Sequence, residues 1–386
     1  MLERRRFLAL LTASGFAACG SDSGEEAPAT EAGGSDYWAY FGTYTRDTSK
    51  GVYVSRFNPS SGSLEAPQLA AEIESPSFLT VHPNQRFLYA VTETRDGSVT
   101  GFSIDAASGL LTPINTVSAH GDLPCDLEVD SSGKMLVVAN YSSGNVAAFP
   151  VGEDGRLGEA SQVVQHEGSG SHQRQKGPHA HSVDFSADNR FVLISDLGID
   201  KVLIYNVDPE NASLAPHDPP SAQVEAGSGP RHFAFHPSGD YAYTINELGS
   251  TVTAFAWDAE AGRLEPQQTI STLPEGFSGE NNTAEIEVHP SGKFLYASNR
   301  GHDSIVGFAI DESNGSLRLI GHTPSGGGRP RSFKIGPTGR YLLAANQDGD
   351  NVLVFEIDHR RSGELARTSH SVQVDAPVCV RFVAVA

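Results

Sequence analysis

Apolar and polar residues alternate in short runs along nearly the whole chain, with Gly, Pro, Asp, Ser and Asn punctuating the runs. One unit shows the pattern well. A first run over Arg231–His236 meets the turn residues Pro237–Asp240, and Tyr241–Asn246 forms a second run. Leu248–Ser250 turns again, Thr251–Trp257 is a third run, and Asp258–Arg263 leads into a fourth at Leu264–Ile270. A period of two bounded by turn formers predicts β-strands with one packed face. Amphipathic runs of helical length are hard to find.

The unit repeats. His82-Pro-Asn-Gln-Arg-Phe-Leu-Tyr, Asp130-Ser-Ser-Gly-Lys-Met-Leu-Val, Ser186-Ala-Asp-Asn-Arg-Phe-Val-Leu, His236-Pro-Ser-Gly-Asp-Tyr-Ala-Tyr, His289-Pro-Ser-Gly-Lys-Phe-Leu-Tyr and Gly336-Pro-Thr-Gly-Arg-Tyr-Leu-Leu are variants of one segment. Their spacing of about fifty residues is the period of propeller blades. A partial copy opens the body at Tyr37-Trp-Ala-Tyr-Phe-Gly-Thr-Tyr, and a lone first strand, Val378–Val385, closes it. The fold predicted is all-β: a seven-bladed propeller of four-stranded antiparallel blades. The C-terminal strand A joins the N-terminal blade, which closes the ring and removes the exposed edges of an open sheet.

Antiparallel strands put the D-to-A and B-to-C connections of every blade on one face and the Pro-Ser-Gly turns on the other. Strand A lines the channel, so chemistry is expected on the first face. The seven residues that open strand A are Ser77, Cys125, His181, Arg231, Ala284, Arg331 and Val378, each followed by Phe78, Asp126, Ser182, His232, Glu285, Ser332 or Cys379. Strand B ends in Tyr44, Glu93, Tyr141, Leu197, Glu247, Arg300 and Gln347. The residues just before, Thr43, Thr92, Asn140, Asp196, Asn246, Asn299 and Asn346, are far more uniform and read as turn formers.

The variable set gathers His181, Arg231, Arg331, Glu93, Glu247, Glu285 and Arg300 on one face. Charges around a narrow mouth are costly unless paired or bound to ligand, so the set is either an inter-blade ion-pair network or an anion site. Arginine is suited to a bidentate grip on carboxylate or phosphate. The stretch Arg174–Ser182, with His179 and His181, enters this rim. His82, His236 and His289 open turns on the opposite face and read as structural. His166, His172, His179 and His181 follow no usual zinc spacing, so no metal and no cofactor is expected.

Charge narrows the partners. With 47 acidic against 27 basic residues, the net charge of −20 argues against nucleic acid. The N-terminus reads as an address. Arg4-Arg5-Arg6-Phe7-Leu8 has the twin-arginine form, Phe7–Ala18 is apolar but too short to span a bilayer, and Phe16-Ala17-Ala18-Cys19 resembles a lipoprotein cleavage box with Cys19 as the lipidated residue. The expected organisation is a signal peptide over 1–18, a flexible tether over 19–35 and the propeller over 36–386. The protein is expected to be a monomer at the periplasmic side of the envelope, touching the membrane only through its lipid anchor. Cys125 and Cys379 lie two blades apart and are read as buried free thiols.

The segments Gly42-Thr43-Tyr44-Thr45, Arg174-Gln175, Gly177-Pro178-His179-Ala180-His181-Ser182, Gly229-Pro230-Arg231-His232, Asn246-Glu247, Ala284-Glu285-Ile286, Ser298-Asn299-Arg300-Gly301-His302-Asp303-Ser304, Pro330-Arg331-Ser332-Phe333 and Pro377-Val378-Cys379-Val380 together resemble the lactonase family of seven-bladed propellers, from about Tyr37 to the C-terminus. That family includes propeller-type 6-phosphogluconolactonases and carboxy-muconate cyclases. The resemblance implies a small-molecule lactone or dicarboxylate as partner. It also implies a catalytic set of one histidine of the Pro-His-Ala-His run with Arg231, Glu247 and Arg300. One departure is Asp126, where the family often has histidine; an acid there would make the pocket less receptive to anions. Lactone hydrolysis is the leading expectation, with Glu247 or His181 as general base, Arg231 and Arg300 at the oxyanion or an anionic substituent, and His179, Glu285 and Arg331 in substrate binding. A muconate-type cycloisomerase and a non-catalytic surface binding propeller are the alternatives.

Overall fold

Seven sheets of four antiparallel strands account for all the regular structure among residues 35–385, the part that this computed structural model describes. The expected signal peptide, Cys19 and all but the last residue of the expected tether lie outside the described residues. Six blades are built from consecutive strands, and the first pairs the C-terminal strand Pro377–Ala384 with Tyr37–Thr43, Gly51–Phe57 and Gln68–Glu72. In the fifth blade the strands are Pro230–Phe235, Tyr241–Asn246, Thr251–Asp258 and Arg263–Ser271, within a residue or so of the runs read from the sequence. Each strand A lies against strand A of the next blade all the way round, so the seven inner strands enclose the axis.

The core lies between blades. Strand B is the most deeply sunk strand: Met135–Asn140, Phe191–Asp196 and Tyr341–Asn346 are buried at every position. Polar staples add register to the apolar packing. The turn histidines each reach a glycine carbonyl in the turn of the following blade: His82 to Gly133 at 3.0 Å, His236 to Gly292 at 2.8 Å and His289 to Gly339 at 2.8 Å. The strand B tyrosines do likewise, Tyr40 donating to Gly109, Tyr89 to Gly155, Tyr243 to Gly315 and Tyr296 to Gly363. The turn glycines at 133, 292 and 339 have φ near +75°, and a Cβ at any of them would collide with the imidazole that seals the joint.

One irregularity of the inner strands governs the site. Near its start strand A slips register against strand B, between Pro124 and Asp126, Ala180 and Ser182, Pro230 and His232, Thr283 and Ile286, and Pro330 and Ser332. The bulge inserts an extra residue and re-aims its neighbour. Two successive residues therefore serve the channel instead of one. The first of each pair stands at the mouth and the second a layer deeper.

Candidate active site

Glu247 is the hub of the mouth. It directly follows strand B of the fifth blade and accepts three guanidiniums: Arg231 Nε at 3.0 Å, Arg300 at 2.7 Å and Arg174 at 2.7 Å. Glu247, Arg231 and Arg300 are only 4%, 2% and 6% exposed, whereas the Arg174 side chain is 38% exposed and closes the cluster from outside. Burial alone would push the Glu247 carboxyl up, but Arg300, Arg231 and Arg174 hold it far below the usual carboxylate range. Backbone carbonyls complete the fixation, Arg231 donating to Ala284 O at 2.9 Å and Arg300 to Thr283 O at 2.7 Å. Burial lowers Arg300 to about 9, still protonated at neutral pH, and its Nε is a buried donor with no partner among the described residues.

His181 lies in the same wall. Its ring meets the edges of Tyr141 and His232 at 5.4 and 5.5 Å, and its Nδ1 is 3.7 Å from the Cys125 sulfur. Burial, then the charges of Arg231, His232 and Arg331, keep it neutral by holding its pKa well below the ordinary histidine value. Its Nε2 has no hydrogen-bond partner among the described residues. His179 turns outward, half-buried, stacked on Tyr141 at 4.5 Å with Nδ1 on the Tyr141 carbonyl at 2.8 Å. Across the mouth Arg331 lies over the Tyr44 ring at 5.4 Å, and Tyr44 donates to Glu93 at 2.9 Å. Arg331 has no carboxylate within 4.0 Å among the described residues. Tyr44, Glu93 and Glu247 nevertheless keep it firmly charged against the cost of burial.

The mouth thus sets Arg331, which has no carboxylate within 4.0 Å among the described residues, in the same rim as a carboxylate shared by three guanidiniums and a neutral imidazole. A family model described as "Lactonase, 7-bladed beta-propeller" matches residues 38–382. The chain belongs to this family.

A 6-phosphogluconolactonase of Bacillus subtilis is 36% identical over 90% of this chain and 98% of its own length, and one of Formosa agariphila is 38% identical over 76% of this chain and 85% of its own. Among solved structures, the periplasmic gluconolactonase of Pseudomonas aeruginosa superposes with a TM-score of 0.87 at 39% identity, covering 91% of this chain and all of that one.

Two expected members of the rim of this lactonase propeller lie deeper. Glu285 takes the second place of its bulge, so Ala284 faces the rim while Glu285 accepts from His232 Nδ1 at 2.7 Å and from Ser332 at 3.1 Å. Asp126, expected to discourage anions, sits at the same depth, in a cavity of about 190 Å³. That cavity also receives Glu128, Asp184, Glu287, Lys334 and Arg381. Burial and crowding of like charges push Asp126 and Asp184 well up, and burial alone pushes Glu128 to about 7, while His232 and Arg381 bring Glu285 down to about 2 against the cost of burial. The acidity therefore belongs to the channel, a layer below the arginines.

Sequence reading missed the role of Arg174 and Tyr141. Arg174 also takes the Tyr141 hydroxyl at 2.9 Å and Asn282 at 3.3 Å, spanning three blades. Its Arg-Gln pair was the available signal, but a residue in a long D-to-A loop has no register that fixes where it lands. The uniform strand B positions bond backbone as turn chemistry requires: Asn140 donates to Ala119, Asn299 to Thr272 and Asn346 to Ser325.

Proposed function

We propose that this propeller hydrolyses a sugar-derived lactone carrying a negative charge, with the ring carbonyl at Arg231 and Arg300 and the base at His181. The observation that carries this reading is the charge balance of the mouth. Arg174, Arg231, Arg300 and Arg331 gather round Glu247 and Glu93, two more positive than negative charges at this level in a chain of net charge −20, with Glu285 acting on Arg231 from the layer below.

The chemistry follows from the protonation states. A water gives its proton to His181 Nε2 as its oxygen adds to the lactone carbonyl carbon. The carbonyl oxygen becomes an oxyanion, which the guanidiniums of Arg231 and Arg300 stabilise, already fixed by Glu247 and by backbone carbonyls so that little reorganisation is needed. When the tetrahedral adduct collapses, the bond to the ring oxygen breaks and the imidazolium returns its proton to that oxygen. The product is a hydroxy acid, which ionises to the carboxylate. His181 suits the base role better than Glu247, because a carboxylate held by three guanidiniums is a poor proton acceptor. Arg331, with no carboxylate within 4.0 Å among the described residues, is the group for a phosphate or carboxylate substituent.

A substrate pair tests the reading. kcat/KM should be higher for 6-phosphogluconolactone than for gluconolactone, and Arg331→Ala should raise KM for the phosphorylated lactone roughly 10- to 100-fold with kcat little changed. Equal rates on both lactones, untouched by Arg331→Ala, would leave the positive surplus without a substrate to serve.

The same reading places the enzyme outside the cytoplasm as a lipid-anchored monomer. Its supports are Arg4-Arg5, the short apolar run and Cys19, together with the periplasmic location named for the Pseudomonas aeruginosa relative. Replacing Arg4 and Arg5 by lysine should strand a precursor inside the cell; unaltered export of that variant, or an unlipidated parent, counts against the address.

A further inference from the structure

We propose that Cys125 is the positioning residue that fixes the tautomer of His181, holding the proton on Nδ1 so that the lone pair stands on Nε2, the nitrogen that serves as base. The inference rests on the role of His181 proposed above.

Cys125 opens strand A of the third blade and His181 strand A of the fourth, so the two bulges bring them side by side. The Cys125 sulfur is 3.7 Å from His181 Nδ1, 3.7 Å from the Ala180 carbonyl and 3.6 Å from the His181 carbonyl. All three are sulfur hydrogen-bond distances, and Cys125 is 5% exposed. A thiol has one proton to give and a sulfur that accepts. Two of the three neighbours are carbonyl oxygens and accept only. The arrangement that satisfies most groups sends S–H to a carbonyl and Nδ1–H to sulfur. The opposite arrangement spends the only thiol proton on Nδ1 and leaves neither carbonyl a share of it. The partner of one ring nitrogen decides what the other can do. Among the described residues no other side chain competes, since Tyr141 and His232 meet the ring edge-to-face and make no hydrogen bond to it, and the one backbone partner, the carbonyl of His181 itself, accepts only and so favours the same N–H. Burial, Glu93 and Asp126 hold the thiol well above its ordinary pKa, so the S–H persists through the neutral range and the sulfur is no nucleophile.

Long-range proton–nitrogen NMR on protein labelled with nitrogen-15 histidine reads the tautomer directly. It is run with lactone turnover and melting temperature on the parent, Cys125→Ala, Cys125→Ser and His181→Ala. The parent should show His181 protonated on Nδ1. Cys125→Ala should show mixed tautomers and a kcat roughly 10- to 100-fold lower, by analogy with the loss of a partner that orients a metal-bound imidazole, with KM and melting temperature near the parent. Cys125→Ser, which can still accept from Nδ1–H, should recover most of the turnover and the parent tautomer. Adding Cys125→Ala to His181→Ala should cost nothing more. An Nε2–H tautomer in the parent, or Cys125→Ala with parental tautomer and parental kcat, overturns the inference. His181→Ala with parental kcat instead removes the base reading, whatever tautomer the spectra show.

Discussion

Glu247→Gln should lose turnover and stability together. The amide keeps the shape of the carboxylate but removes the only charge that Arg231, Arg300 and Arg174 share. Two of those guanidiniums are almost wholly buried, and stranding a buried charge costs about 3–5 kcal/mol, a fall in melting temperature on the order of 10 °C for a domain of this size. The guanidiniums then lose the alignment that makes them oxyanion donors. Removal of one such donor typically costs about 10²–10³ in kcat, and here two are displaced at once. The paired loss tests whether the cluster serves turnover at all. If the cluster were only an ion-pair network, the melting temperature would fall and turnover would hold. Enzyme assay and thermal melt on one preparation separate the two, and the His181 variant below decides which residue is the base.

His181→Asn should cut kcat by about 10²–10⁴ with little change in melting temperature, because it deletes a proton acceptor and leaves the ion-pair cluster untouched. The pH dependence supplies a second mark. The base is active when deprotonated, and burial with the nearby arginines holds its pKa well below the ordinary histidine value. Activity should therefore stay flat as pH falls through the usual histidine range, with the acid limb appearing only below it. Plotting kcat/KM against pH for the parent checks this. An inflection near 6.5 would mean that the imidazole is solvated and unpaired with the cationic mouth.

The fold was almost fully legible in the sequence because every strand carries its own period-two pattern and each turn its own Pro-Ser-Gly or Asn signal. Repetition made one unit predict the other six. The mouth was legible for a related reason: departures from the repeat stand out against it, and Arg231, Glu247 and Arg300 converge as the topology requires. Depth was not legible. Glu285 and Asp126 read as rim residues because a two-residue periodicity assigns one channel position per pair, whereas the bulge grants both residues a place at different levels. Arg174 escaped because its D-to-A loop is long and unpaired, so no register ties it to Glu247. The interaction of Cys125 with His181 crosses two blades, and nothing local in either strand announces it.

The central claim is that lactone chemistry takes place at the arginine mouth and not in the acidic channel below it. The most direct measurement is a crystal structure with a non-hydrolysable aldonolactone analogue bearing a terminal phosphate. The expected complex has the group that stands for the carbonyl oxygen within hydrogen-bond distance of Arg231 and Arg300, His181 Nε2 facing the carbon under attack, and the phosphate on Arg331. An analogue seated instead among Asp126, Glu128 and Asp184, or bound at the mouth with its carbonyl turned away from both arginines, would contradict the account.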